Sequence, residues 1–414
     1  MAQGAGTART VKDDLRTGTP FWLKTPNIAV AHCRLDRRQG WDAIIVGSGV
    51  SGALLAEALT RQGLGVLIVD RRPPARGSTP ASTAMIQHEI DIPLIHHIRD
   101  MGRPRAEAVW RRSVRAVGDL LRLVDETGID CRMQAKRAIY LSGNVLGARA
   151  LKAEAEARDR AGIAAEYLNA AALRDRFGMQ RSAAILSEAS ASANPAQLTA
   201  GLLAVAQARG AVVASPVEIT DLAELPGGVA LATDEGRVLA CRNAIFCTGY
   251  EFLPQMQSPR HRITSTWALA SRTGIARPDW LDDMLVWEAA EPYLYFRTDL
   301  DGRIIAGGED EDNPVRNDDP ALLARKGRTI VAKLQDLTGI RIGRPAYVWS
   351  APFGNTTDGL PIIDLVPGHD RVHAVMGFGG NGITFSMIAA QVVAAAIAGK
   401  PDPDAGLFAF DRDG

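Results

Sequence analysis

The segment Trp41–Gly52, which reads W-D-A-I-I-V-G-S-G-V-S-G, constrains the fold of this chain more than any other. Its apolar residues predict a short buried strand, and its G-x-G-x-x-G spacing predicts a tight turn that leads into a helix. Gly47 permits the turn, Gly49 lets the backbone approach a pyrophosphate, and Gly52 lets the helix pack close to the strand. The N-terminus of that helix would offer free N–H groups and a partial positive charge to phosphates.

A second apolar strand, Gly65–Val69, follows this helix and ends at Asp70. An acid about 20 residues after the glycines is the residue that binds a ribose hydroxyl in such units. The strand, helix, strand and terminal acid together predict a dinucleotide site rather than a glycine turn without a ligand. The motif alone does not distinguish NAD from FAD.

Composition narrows the class of protein. A chain of 414 residues predicts about two domains, and a net charge of zero without a basic tract gives no support for nucleic-acid binding. The four cysteines form no C-x-x-C pair, which indicates a reducing compartment and no structural zinc. The apolar run 383–398 contains Thr384, Ser386 and Gln391 and is too short to span a bilayer. We therefore expect a cytoplasmic protein with no transmembrane segment.

A second glycine-rich turn lies near the end of the chain, in G-F-G-G-N-G at residues 377–382. It follows a predicted strand, 371–376, and precedes a predicted helix. Because no third strand and no ribose acid follow it, we do not expect a second dinucleotide site. A helix N-terminus here would instead stabilise a ligand group that becomes anionic during reaction, such as the N1–C2=O edge of a reduced flavin.

Five separated motifs resemble one family. They are G-S-G-V-S-G, the terminal Asp70, G-S-T-P-A-S-T-A-M, Y-L-Y-F-R with D-G-R-I-I-A-G-G-E-D, and T-T-D-G-L-P-I-I with G-F-G-G-N-G-I-T. Together they are similar to the D-amino-acid oxidase, glycine oxidase and sarcosine oxidase family of flavoproteins. The resemblance implies an α/β fold in which a Rossmann-like FAD-binding domain is interleaved with an antiparallel-sheet substrate domain.

The predicted domains alternate along the chain. We expect an N-terminal arm at 1–40, an FAD-binding domain at 41–90, 150–261 and 345–400, a substrate domain at 91–149 and 262–344, and a tail at 401–414.

The resemblance also implies which residues hold FAD. They belong to the pyrophosphate turn, the ribose acid and its neighbour, the hydroxyl-rich loop along the flavin, two strand ends and the last glycine loop. These residues are Gly47, Ser48, Gly49, Ser51, Gly52, Asp70, Arg71, Ser78, Thr79, Ser82, Thr83, Ala84, Met85, Val217, Thr248, Gly249, Gly379, Gly380, Asn381, Gly382, Ile383 and Thr384.

The chain departs from the family where relatives anchor a substrate carboxylate. Phe353 stands about where several amino-acid oxidases have an arginine, and Thr384 stands where sarcosine oxidases have a lysine. Ala351 occupies roughly the position of the cysteine that binds flavin covalently, so we expect non-covalent FAD. Arg297, close to Tyr293 and Tyr295, is a candidate replacement clamp, because arginine binds carboxylates in a bidentate manner.

The family chemistry is removal of a hydride from a carbon that bears an amine, with delivery to flavin N5. His88 and the two tyrosines could face the substrate, although such residues are more often packed in a core. The run Glu309–Asp312 is better explained as a solvated turn than as a metal site.

Three functions remain open from the sequence. The first is an FAD-dependent amine or amino-acid oxidase or dehydrogenase. The second is a flavin dehydrogenase of a 2-hydroxy acid or polyol, and the third is an FAD-binding subunit that needs a partner. We expect a small-molecule substrate and an electron acceptor that is oxygen or a quinone; the oligomeric state is not predicted.

Overall fold

The computed structural model of the chain describes residues 15–35, 40–313 and 319–412. The ends of the predicted arm and tail, 1–14, 36–39 and 413–414, lie outside these residues. The helices of the described parts are α1 (Val50–Arg61), α2 (Leu94–Met101), α3 (Arg103–Thr127), α4 (Ala148–Arg160), α5 (Ala170–Phe177), α6 (Pro195–Ala208), α7 (Pro320–Thr338) and α8 (Gly382–Ile397).

The strands form two sheets. They are β1 (Thr17–Gly18), β2 (Trp41–Val46), β3 (Val66–Val69), β4 (Met85–Ile86), β5 (Gln134–Leu141), β6 (Ala165–Asn169), β7 (Ala183–Ser192), β8 (Val212–Ala214), β9 (Ile219–Leu225), β10 (Gly228–Thr233), β11 (Val238–Gly249), β12 (His261–Ala270), β13 (Met284–Glu288), β14 (Leu294–Thr298), β15 (Ile304–Glu311), β16 (Tyr347–Thr356), β17 (Ile362–Leu365) and β18 (Val372–Met376).

The smaller sheet is mostly parallel, and its helices cover one face. Its parallel strands lie in the order β18-β11-β2-β3-β8, with β17 antiparallel at one edge and the β9–β10 hairpin joined to β11. Ala43 and Ile45 point to the face covered by α1, α6 and α8, while Ile44 and Val46 point to the opposite face. Burial on both faces explains the continuous apolar sequence of β2.

The larger sheet has the order β1-β16-β12-β15-β14-β13-β5-β7-β4, with β6 paired to β7. It is antiparallel except between β5 and β13. α7 packs on β12, β15 and β16 through buried residues that include Ile330 and Leu334. The predicted combination of a Rossmann-like domain and an antiparallel-sheet domain is therefore confirmed.

Sheet membership corrects the predicted domain limits in three places. β4, within the range 41–90 assigned to the FAD-binding domain, belongs to the larger sheet. β6 and β7, within the range 150–261 assigned to the FAD-binding domain, belong to the larger sheet, and so does β16, at the start of the range 345–400. Their apolar residues gave no signal of which sheet they would join, because strand partners are chosen by contacts distant in sequence.

The described part of the N-terminal arm packs on the body. β1 pairs with β16, Cys33 forms an isolated bridge to Ala214 of β8, and Phe21 and Trp22 are buried. These contacts fix the arm against both sheets.

One helical stretch, Gly379–Ile397, is long and apolar enough to cross a membrane by length and composition, although the sequence suggested that it was too short. About two thirds of its apolar window, 67%, is buried inside the protein. It packs on α1 and α3, so its apolar character is explained by its place in the core.

Candidate functional site

One large cleft runs from the carboxyl ends of β2, β3 and β11 to strands β12, β14 and β16 of the larger sheet. It contains about 1880 Å³ of space free of protein atoms, including the solvent at its mouth. Open α/β sheets bind ligands at this edge, outside the carboxyl ends of their strands. The cleft is therefore the candidate site, and its two ends differ in chemistry.

The first glycine turn forms one end of the cleft. A Cβ atom on Gly47, which has φ +110°, would overlap the Cys247 carbonyl oxygen, and a Cβ atom on Gly52 would overlap the Gly47 carbonyl oxygen. Gly49 is the N-cap of α1 and has no side chain to satisfy the first N–H groups of the helix. The turn therefore has no room for a side chain at Gly47 or Gly52. It presents the N–H groups of the helix N-terminus to an anion.

Asp70 lies at the end of β3 and is tied to the glycine turn. Its Oδ2 accepts hydrogen bonds from Ser48 N at 2.8 Å and Ser48 Oγ at 2.6 Å, and its Oδ1 accepts one from Arg72 N at 2.8 Å. Oδ1 retains a further lone pair for a ribose hydroxyl. Asp70 therefore both shapes the turn and lines the cleft.

Two arginines continue this end of the cleft. Arg72 binds Glu251 with its two terminal nitrogens at 2.6 and 2.7 Å. Arg71 pairs with Glu251 and, at 3.2 Å, with Glu218. The sequence reasoning missed Glu251, which follows a strand end without a recognisable motif.

The hydroxyl-rich loop forms the middle wall. Val50 N donates to Thr79 Oγ1 at 3.0 Å, so the Thr79 hydroxyl can donate its own proton into the cleft. Trp22 Nε1 donates to Ser82 O and Trp349 Nε1 donates to Ala81 O, both at 2.8 Å. Indole donors from both sides of this loop hold its backbone in place.

The structure brings most residues of the predicted cofactor set to this cleft. All line it except Ser48, which binds Asp70; Gly52, which packs on the turn; and Ala84 and Thr384, which are buried behind the wall.

The second glycine loop closes the opposite side. Gly379–Ile383 line the cleft, and Asn381 Nδ2 donates to the backbone oxygen of Glu89. Gly380 N donates to Asp91 Oδ2 at 2.8 Å. Asp91 lines the cleft and is exposed to it, while surrounding protein atoms raise the pKa of this carboxyl by desolvation. The sequence reasoning missed Asp91, although it lies shortly after the hydroxyl-rich loop.

Aromatic side chains line the far end of the cleft. They are contributed by Trp287, Tyr293, Tyr295 and Phe353, as the sequence suggested for the last three. Trp287 stacks on Tyr140 with ring centres 3.8 Å apart. A Cβ atom on Gly307 would overlap the Tyr295 ring, so this glycine of β15 makes room for the tyrosine.

Behind this end lies Asp310, a second residue that the sequence reasoning missed. Tyr293 Oη donates to Asp310 Oδ2 at 2.6 Å, and Asp310 Oδ1 is buried without a hydrogen-bond partner among the described residues. Burial raises the pKa of Asp310 to about 6, although the hydrogen bond from Tyr293 opposes the shift.

The run Glu309–Asp312 is not the solvated turn that we expected. β15 extends through Glu311, and buried Glu309 pairs with Lys326 and Lys333 of α7. In the described parts of the chain, no group of three or more His, Cys, Asp or Glu residues is arranged to hold a metal ion.

The structure also corrects three predicted catalytic residues. Arg297 is not a substrate clamp: it is fully buried, and it donates to the backbone oxygens of Thr83, Ala193 and Thr298. The period-two pattern placed it on the tyrosine face, but β14 carries it beyond the end of the cleft.

His88 and Thr384 likewise do not line the cleft. His88 is fully buried, with Nδ1 3.2 Å from the Ala189 oxygen, and burial lowers the pKa of its imidazole. Thr384 Oγ1 donates to the Gln87 oxygen at 2.8 Å. These two residues hold the cleft wall together instead of facing a substrate.

A protein-family model described as DAO, FAD dependent oxidoreductase, matches residues 42–396. N-methyl-L-tryptophan oxidase of Shigella dysenteriae serotype 1 (strain Sd197) is 24% identical over 382 residues, which cover 86% of this chain and 94% of that protein. A putative Rieske 2Fe-2S iron-sulfur protein, YhfW, of Bacillus subtilis (strain 168) is 21% identical over 378 residues, 90% of this chain and 71% of that protein. The crystal structure of glycine oxidase from Geobacillus kaustophilus shares the fold, with a TM-score of 0.75, 19% identity, and coverage of 91% of this chain and 99% of that chain.

Proposed function

The chain belongs to the family of FAD-dependent oxidoreductases, and we propose that it oxidises the C–N bond of an amine or amino acid in the cleft described above. The predicted family and cofactor are thereby confirmed. The observation that carries the proposal is the continuity of the cleft, which joins the glycine turn of α1 to the aromatic pocket beside Tyr293 and Tyr295.

The residues present fit FAD. The cradle at Gly47 and Gly52, which a Cβ atom would fill, leaves the α1 N-terminus open to a pyrophosphate. Asp70 would hold the ribose, and the loop from Ser78 to Met85 would run along the flavin. The wall residue at the proposed attachment position is Ala351, so the flavin is held without a covalent bond.

When bound, the flavin would supply the two-electron oxidant that takes a hydride from the carbon that bears the nitrogen and passes the electrons on to oxygen or a quinone. In the substrate the C–H bond breaks, the nitrogen lone pair forms C=N, and the nitrogen loses a proton. Water hydrolyses the imine to a carbonyl compound and ammonia, or an amine where the nitrogen carries a second carbon. The chain's part is to orient this C–H bond between the aromatic walls and to exclude water.

Anaerobic bleaching of the flavin tests this proposal. The purified yellow holoprotein is mixed with primary amines, secondary amines, amino acids, lactate, 2-hydroxyglutarate and glycerol phosphate, and the visible absorbance of oxidised flavin is followed. We expect a nitrogen compound to bleach the flavin at least tenfold faster than any hydroxyl compound. Bleaching by a hydroxyl compound alone would favour the second function, and no bleaching without an added protein would favour a partner-dependent subunit.

Asp70→Asn should weaken FAD binding about tenfold. The amide cannot accept hydrogen bonds at both positions now bonded to Ser48 N and Arg72 N, and hydrogen bonds to a charged group contribute about 1.5–3 kcal/mol. Titration of apoprotein with FAD, followed by quenching of flavin fluorescence, measures the change. Asp125→Asn, on the exposed face of α3, is the matched control and should bind FAD like the parent protein. Equal affinity in both variants would contradict the role of Asp70.

A cytoplasmic location remains a prediction. It is consistent with the four free cysteines, of which Cys131, Cys241 and Cys247 are buried.

A further inference from the structure

We propose that the substrate is a cationic amine without an α-carboxylate, bound between Asp91, the lone pairs of the Tyr293 hydroxyl, and the aromatic walls of the cleft. This inference rests on the proposed function and specifies the substrate class of the same site. Three features of the described residues carry it.

The first feature is the absence of a carboxylate anchor. Among the described residues that line the cleft, the only cationic side chains are Arg71 and Arg72. Both lie at the β3 end and are ion-paired with Glu251. The pocket end has Phe353 in its wall, and a carboxylate there would lose its hydration without a charged partner, which is costly.

The second feature is the direction of the Tyr293 hydroxyl. A phenol has one proton to donate, and Tyr293 donates it to Asp310 Oδ2 at 2.6 Å. Burial and the Asp310 carboxylate raise the pKa of Tyr293 well above its ordinary value, so the hydroxyl keeps this proton. Towards the cleft the oxygen therefore presents lone pairs, which accept N–H groups and repel a carboxylate.

The third feature is Asp91. Its Oδ2 is held by the N–H of Gly380, while its Oδ1 has no hydrogen-bond partner in the described residues. Asp91, Tyr293 and Tyr295 line the same cleft, and the Asp91 carboxylate contributes to raising the pKa values of both tyrosines and of Asp310. An ammonium ion in the pocket would make a charge-assisted hydrogen bond to Oδ1.

The aromatic walls complete a site for a cation. Trp287, Tyr295 and Phe353 line the same cleft as Asp91. The faces of such rings attract alkylammonium groups, and the attraction is stronger when the cation is desolvated. The amine must lose a proton before its nitrogen can form C=N, and Asp91 Oδ1 is placed to accept that proton.

Paired substrates test the proposal on the FAD-loaded protein. Each pair differs only by a carboxylate: phenethylamine and L-phenylalanine, putrescine and L-ornithine, pyrrolidine and L-proline. We expect the carboxylate-free member of the best pair to give at least tenfold faster anaerobic flavin reduction at equal low concentration. If the amino acids are preferred, this inference is wrong and the proposed function stands. If no nitrogen compound reduces the flavin, the proposed function itself fails.

Equilibrium binding gives a readout that is independent of turnover. Benzyltrimethylammonium cannot form C=N, and phenylacetate is its anionic counterpart. We expect the cation to perturb the flavin spectrum at concentrations at least tenfold lower than the anion. Tighter binding of phenylacetate would overturn the inference.

Substitutions at Asp91 and Phe353 test which side chains select the cation. Asp91→Asn should weaken benzyltrimethylammonium binding about tenfold or more, because the amide lacks the negative charge that attracts this cation, which has no N–H group to donate. The flavin spectrum should be unchanged, and Asp100→Asn, on the surface of α2, should have no effect. Unchanged cation binding in Asp91→Asn would contradict the assignment.

Phe353→Arg should reverse the preference within each substrate pair by about tenfold or more, since it adds a cation to the pocket wall. Phe353→Leu is the matched control without a charge. An arginine variant that still prefers the carboxylate-free amine by the parent's ratio would show that this wall does not select against carboxylates.

The pH dependence follows from Asp310. The titratable groups that face it are Tyr293, Tyr295, Asp91 and Lys326, and burial raises the pKa of Asp310 to about 6. Protonation removes a negative charge close to the bound cation, so binding of benzyltrimethylammonium, which does not titrate, should weaken as the pH falls through about 6. Asp310→Asn should flatten this profile. Binding that strengthens at low pH would contradict the account.

Discussion

Gly52→Ala is expected to abolish tight FAD binding. The new Cβ atom would overlap the Gly47 carbonyl oxygen and lie 3.2 Å from Ile45 Cγ2, so α1 must move away from the turn. The displacement separates the α1 N–H groups from the pyrophosphate. Loss of two hydrogen bonds to a charged group, at about 1.5–3 kcal/mol each, corresponds to about 100-fold weaker binding or more.

Fluorescence titration of the apoprotein with FAD measures this loss, and far-ultraviolet circular dichroism shows whether the variant is folded. Gly118→Ala in α3 is the control, because its Cβ would meet only Arg122 Nη1 at an ordinary 3.9 Å. A folded Gly52→Ala protein that binds FAD as tightly as the control would contradict the assignment of this turn.

Arg158→Met is expected to lower the free energy of unfolding by about 3–5 kcal/mol. Arg158 of α4 is fully buried and binds Glu154 at 2.8 Å and Glu89 at 3.1 Å, both also fully buried. Without the guanidinium, two carboxylates would remain buried without a cation. Glu154 in turn accepts hydrogen bonds from the N–H groups of Leu94 and Ile95 at the start of α2. The variant should therefore loosen the cleft wall at Glu89 as well.

Urea unfolding of the FAD-loaded protein measures this change. Arg160→Met, two residues further along α4 on its exposed face, should unfold like the parent. Equal stability of the two methionine variants would show that the buried cluster does not hold α2 and α4 together.

The sequence predicted the cofactor end of the cleft well because its signals are local. Three glycines, the adjoining strands and Asp70 lie within thirty residues. The glycines are required by the tight turn and the close approach of the backbone, and the acid by the ribose hydroxyl. The alternation of Tyr293 and Tyr295 likewise placed both on the cleft, since neighbouring positions of a strand face opposite sides.

The substrate end could not be predicted in the same way, because its residues meet only through the larger sheet. Asp310 meets Tyr293 because β14 pairs with β15. Asp91 is held in the cleft by a hydrogen bond from Gly380, in the loop before α8. Arg297 was wrongly predicted to line the cleft. The strand alternation gave its face correctly, but the cleft ends between Tyr295 and Arg297. The two-residue period of a strand predicts which face a side chain lies on. It does not predict how far along the strand a cavity extends.

The most direct test of C–N oxidation is the anaerobic rate of flavin reduction with the best amine, compared with the same amine deuterated at the carbon that bears the nitrogen. Hydride removal from this carbon predicts a several-fold slower reduction with the deuterated compound, accompanied by one carbonyl product for each flavin reduced. Equal rates for the two compounds, or flavin reduction without a carbonyl product, would contradict the proposed reaction.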